Sequence, residues 1–227
     1  MHQDISKEDT SSEATTKLTR VLLSCGIVAG PLYIIVGVIE ILTRPGFDPT
    51  RHDLSLMSNG DWGWVHISLL ILTGLLTIAG AVGMRRVLNG SQGGTWGPLL
   101  LSVYGLGLIG AGFFIADPAN GFPPGTPANA HAVSWHGLLH FIFGGIGFLG
   151  LIASCFVFAR RFADQGQRGW VAYCIATGVI YLAAFIGIAV GSNAAGVITT
   201  IVILAFSFAV ILGWAWISML SAKLMTA

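Results

Sequence analysis

An all-α, polytopic membrane bundle of six helices is the fold class this sequence predicts, and three observations predict it. Of 227 residues 54% are hydrophobic and only 9% charged, too little polarity to cover the surface of a soluble domain of that size. Six apolar runs are each long enough to cross a hydrocarbon core of roughly 30 Å at about 1.5 Å per residue. Lys and Arg gather on alternate connections, as the positive-inside rule expects of a chain that weaves through a bilayer.

The runs lie near Val21 to Thr43, Gly63 to Met84, Trp96 to Ala116, Ser134 to Ala159, Gly169 to Val190 and Val197 to Leu220. They are too long for barrel strands, and unpaired backbone groups are costly in lipid, so helices are expected throughout. Residues 1–16, rich in Ser, Thr, Asp and Glu, lack the basic start and apolar stretch of a secretory signal and are expected as a short disordered cytoplasmic tail, with residues 17–227 as the transmembrane domain. In the first run Pro31 lacks a backbone donor, so a bend is expected beside Gly30. The second and fourth runs end in Arg85–Arg86 and Arg160–Arg161. Together with Lys7, Lys17, Arg20, Arg168 and Lys223 these mark one side as cytoplasmic, both termini included, and leave Arg44 and Arg51 outside. The stretches GLGLIGAG and FGGIGFLG space small residues for close helix packing in lipid. Trp62, Trp64, Trp96, Trp135 and Trp170 fall at span ends, where an aromatic belt accounts for them. Cys25, Cys155 and Cys174 lie within apolar runs and read as reduced core residues. A net charge of +1 with scattered basic pairs gives no stripe for phosphates, so nucleic acid is excluded as a partner. A faint echo, with Asp48–Pro49 then His66 answered by Asp117–Pro118 then His136, raises a parallel internal repeat.

The titratable residues are not spread evenly. Glu40, Asp48, Arg51, His52, Asp53, Asp61, His66, Asp117, His131, His136 and His140 share the outer layer, which holds five of the 6 histidines and half of the 10 acids. Ionisable groups are costly in a membrane and usually serve function there. In SWHGLLH, His136 and His140 are four apart and would stack about 6 Å apart on one helix face, close enough to share a metal or an anion. Ser134 can cap that helix. The motif lacks the glutamate of the zinc-protease pattern, Gly137 standing in its place. Glu40 and Arg44, also four apart, read as an ion pair snorkelling to the outer surface.

Three segments in order, TRPGFDPTRHDLS, DPANGFPPGTP and SWHGLLH, followed by ARRFA, resemble the bacterial membrane family known as domain of unknown function 998. The resemblance covers roughly Thr19 to Leu220. It implies a compact six-span bundle with an outward polar layer in a bacterial plasma membrane, and no established activity.

Several functional readings stay open at this point. The first is a membrane-embedded enzyme acting on a lipid or other lipophilic substrate. His136, His140 and Asp117 would hold a divalent metal such as zinc, Asp48 or Asp53 would complete the catalytic set, and Arg44 and Arg51, with Ser55, His66, Trp64 and Trp135, would bind substrate, including an anionic headgroup. The second is a metal-free cyclase in which Asp48 or Asp117 protonates an isoprenoid, with Trp62, Trp64, Trp135, Phe113, Phe114 and Phe122 sheltering the cation. The third is a proton-coupled carrier or sensor gated by the histidines. A haem held between His66 and His136 or His140 is a fourth. The oligomeric state is not legible.

Overall fold

A computed structural model describes residues 2–130, 133–191 and 196–226, with side chains from residue 15 onward. Six helices carry the fold: α1 (His2–Thr43), α2 (Gly63–Val87), α3 (Trp96–Phe113), α4 (Trp135–Asp164), α5 (Arg168–Gly191) and α6 (Val197–Met225). Each contains an apolar span of 18 to 30 residues with mean hydropathy between 1.4 and 2.4, and in α1 that span is Thr15–Thr43. Helical backbone thus begins ahead of the apolar run, through the stretch expected as a tail. Pro31 is accommodated within one continuous α1.

The outward faces are greasy. Ile35, Leu42, Leu75, Leu106, Phe141, Val190 and Phe208 are all exposed, which is costly in water and favourable against acyl chains. Consecutive helices pack side by side and α6 returns to α1, so the six form a closed ring. Small residues make that ring tight. A Cβ on Gly80 would lie 2.8 Å from the Gly26 Cα, and one on Gly107 would lie 2.7 Å from the Gly147 Cα. Buried hydroxyls are satisfied within helices or across them: Thr73 donates to the Leu69 carbonyl at 2.7 Å, and Ser154 of α4 to the Gly97 carbonyl of α3 at 2.9 Å.

Inside the ring, one half is solid. Trp214, Trp216, Phe158, Leu151 and Leu220 are fully buried there, and Tyr33 stacks on Trp214 with centroids 4.8 Å apart. Above Tyr33 and Tyr104 the ring stays open, leaving a cavity closed at its far end by the loops after α1 and α3. Those loops contain a short 3-10 helix (Leu54–Ser58) and a tight Ala119–Phe122 turn, neither visible in the hydropathy pattern.

Candidate functional site beneath a two-loop cap

The loop after α1 is held by its own polar residues. Asp48 accepts from the Thr50 amide at 2.9 Å and from the Thr50 hydroxyl at 2.6 Å, an aspartate turn. These bonds favour the ionised form, led by the Thr50 hydroxyl, and hold the Asp48 carboxyl below the usual carboxylate range. The Asp48 amide donates to His52 Nδ1 at 2.9 Å, so His52 must carry its proton on Nε2, which donates to the Asn120 carbonyl at 3.0 Å. Asn120 and Gly121 both have positive φ, 55° and 89°, as the two-residue Asn-Gly turn between Ala119 and Phe122 requires. Phe122 is buried, edge-on to Phe47, with the Arg44 guanidinium 5.7 Å above its ring. Arg44 also donates to the Asn59 carbonyl, and the Asn59 side chain donates to the Ala116 carbonyl at 3.0 Å. Arg44 and His52 are therefore struts that bind the two loops into a single cap.

Below that cap the cavity measures about 590 Å³. Its lower walls are Tyr33, Leu70, Tyr104, Leu108, Phe148, Phe206 and Val210, and its rim carries Asp53, Ser55 and Asp117. Two histidines line it, one from α2 and one from α4. His66, 1% exposed, places Nδ1 2.8 Å from Glu40 Oε2, and its Nε2 is buried with no hydrogen-bond partner. Glu40 does not line the cavity; it sits behind the ring at 3% exposure, with Arg44 Nη1 3.8 Å from its other oxygen. His140 donates from Nδ1 to the Ala111 and Phe114 carbonyls, at 2.9 and 2.8 Å, which fixes Nε2 as its free edge. Burial disfavours the charged form of Arg44 and lowers its pKa, an effect that Glu40 opposes.

The family described as Protein of unknown function (DUF998) matches residues 27–223. The chain belongs to the DUF998 family. No curated protein and no solved structure matches it.

This DUF998 chain redistributes the residues that its sequence nominates. Asp53, Ser55, His66, Asp117 and His140 come together around one cavity. Asp48 does not join them, because its carboxylate is turned onto Thr50. Arg51 is exposed, and Trp64 and Trp135 stand 60% and 63% exposed at the perimeter. His136 is exposed beside Trp135 in the first turn of α4, whereas His140, one turn further along, is buried and turned onto the Ala111 and Phe114 carbonyls. Asp117 spends its oxygens on Ser134, accepting from its amide at 2.7 Å and its hydroxyl at 2.6 Å. Among the described residues no three His, Cys, Asp or Glu side chains are placed to hold a metal ion, so His136, His140 and Asp117 do not fit zinc as a set. Of the six aromatics nominated as a cation shelter, none lines the cavity; Tyr33, Tyr104, Phe141, Phe148, Phe185 and Phe206 do. Glu40 does pair with Arg44, as its spacing suggests, but the pair is buried and not at the surface, and Glu40 is also the partner of His66. Its one available signal was a lone acid a full turn inside an apolar run. His131, Ser192 and Asn193 lie outside the described residues.

Proposed function

We propose that this protein is a membrane-embedded enzyme that performs acid–base chemistry on a lipophilic substrate held in the cavity, with His66 Nε2 as the proton-transferring atom. One observation carries the reading: a buried imidazole fixed by a carboxylate on one edge, with its other nitrogen unpartnered at the wall of a largely apolar chamber. Glu40 accepts the Nδ1 proton, which leaves a lone pair on Nε2 and stabilises the imidazolium that forms when Nε2 takes a proton from substrate. A proton removed and returned at another atom is an isomerisation; one removed from water or a hydroxyl and given to a leaving group is a hydrolysis or transfer. The aromatic walls favour a second version, in which an acid at the rim, Asp53, starts rearrangement of an isoprenoid and Tyr33, Tyr104 and Phe148 shelter the cation.

The test is conversion of lipids by the protein reconstituted in vesicles made from a bacterial lipid extract, followed by mass spectrometry. We expect His66→Gln to lower conversion by about 100-fold or more. Glu40→Gln, which keeps an acceptor but loses the charge, is expected to lower it roughly 10-fold. A chelator is expected to change nothing. Solute crossing the vesicle membrane with no chemical change would replace the enzyme with a carrier. Full conversion by a folded His66→Gln protein would remove His66 from the reaction.

A further inference from the structure

The polar lining of the cavity is biased toward acceptors. Asp53 and Asp117 bring two carboxylates to it, and among the described residues no Lys or Arg lines it. Ser55 gives its hydroxyl proton to Asp53 Oδ1 at 2.6 Å, which leaves lone pairs as its remaining capacity. His66 and His140 both commit Nδ1 elsewhere, to Glu40 and to backbone carbonyls respectively, so with the ring proton on Nδ1 each Nε2 is left as an acceptor. The two arginines of the cap do not compensate. Arg44 is directed at Glu40, Asn59 and Phe122, and Arg51 is exposed. A buried, unpartnered His66 Nε2 calls for a donor, which a ligand's hydroxyl or amine can bring.

The opposite end has a different character. Gly144 and Gly145 of α4 face Phe148 and Phe185 across a gap: a Cβ on the first would find only the Phe148 ring, at 3.9 Å, and on the second only the Phe185 ring, at 3.6 Å. Phe141 and Ala189 line the chamber and are also exposed at the perimeter, so the cavity reaches the lipid-facing surface between α4 and α5. A hydrocarbon tail has a path there.

We infer that the cavity binds an amphiphile whose head carries hydrogen-bond donors and no negative charge, a hydroxyl or an amine, seated between Asp53 and His66 with its tail running past Gly144 and Gly145. The inference rests on the reading of the chamber as a substrate site and names the class of molecule that fills it. It reverses the sequence-based expectation of an anionic headgroup held by Arg44 and Arg51.

The protein in phosphatidylcholine nanodiscs is labelled by hexadecanol carrying a diazirine on its tail, with unlabelled hexadecanol, hexadecylamine, palmitate and hexadecyl phosphate as competitors. We expect the alcohol and the amine to protect the cavity peptides, and palmitate and the phosphate to need at least about tenfold higher concentration, because each meets the carboxylates of Asp53 and Asp117. Asp53→Asn is expected to narrow that gap. Gly144→Leu, whose backbone has room for a side chain, is expected to abolish cavity labelling with the melting temperature unchanged or raised. Equal competition by palmitate or the phosphate overturns the inference, as does labelling that persists in Gly144→Leu. Failure of the enzyme reading looks different: the alcohol binds at the cavity and no lipid is converted. Conversion of an anionic lipid through His66 would keep the enzyme and discard this ligand class.

Discussion

A methyl group at position 137 would overlap the Asp117 carboxylate, which is why a glycine stands where a zinc-protease motif has glutamate. Asp117 needs that closeness because it secures the first turn of α4: Ser134 donates to it twice, and the same Ser134 hydroxyl accepts from the Gly137 amide at 3.1 Å. A carboxylate there also meets the positive end of the α4 dipole. We expect Gly137→Ala to cost about 1 to 3 kcal/mol by overpacking. The Asp117→Ala background should suppress much of that cost, since the atoms that collide are then gone. Thermal unfolding of the two single variants and the double variant measures the coupling, and additive losses would contradict the contact. Ser134 as the cap of α4 was legible, because a serine before an apolar helical run is a local signal. The Asp117–Gly137 contact was not, since it joins residues whose separation in sequence predicts nothing about their distance.

The cap is an element in its own right, and its sequence is misleading for a physical reason. Charged residues concentrated in a greasy chain suggest binding, yet Arg44, Asp48 and His52 are consumed in closing two loops over a cavity: loop backbone next to lipid leaves polar groups that side chains must satisfy. The Asn-Gly turn at 120 and 121 lies in a stretch that reads from sequence only as an irregular connection, and its pairing with His52 is long-range and silent. Asp48 gives the cap a pH dependence. Its pKa is lower folded than unfolded, so it binds fewer protons in the folded loop. Its contribution is therefore full above the ordinary aspartate value of about 4 and is lost as pH falls through the lower folded value. Hydrogen exchange at the Thr50 amide, corrected for intrinsic rate, should show protection declining over that acidic window. Asp48→Asn keeps an acceptor for Thr50 but cannot titrate, so its profile should stay flat there. A decline of the same size in the variant would assign the transition to another group.

At the scale of the molecule, six helices were legible because crossing a bilayer imposes length and hydropathy on each one independently, and the starts of α2, α3 and α6 coincide with the expected residues. The order of packing and the cavity were not legible, since in lipid both faces of a helix are apolar and no moment reports which faces inward. Glycines carry that information only when it is known what they face. In α1, a Cβ on Gly30 would lie 2.6 Å from the Trp214 carbonyl oxygen, at the seam where α6 closes the ring, whereas a Cβ on Gly37 meets nothing within 4 Å. The seam also holds Trp214, on which Tyr33 and the cavity floor rest. Gly30→Ala must therefore push α6 away from α1, and we expect a loss of about 1 to 3 kcal/mol together with weaker retention of a cavity ligand. Gly37→Ala gains helix propensity without a collision and should be neutral or stabilising by up to about 1 kcal/mol. Both substitutions add the same methyl group to the same helix, so the difference in their melting temperatures isolates the ring closure. Equal effects would mean that α1 and α6 do not meet at Gly30.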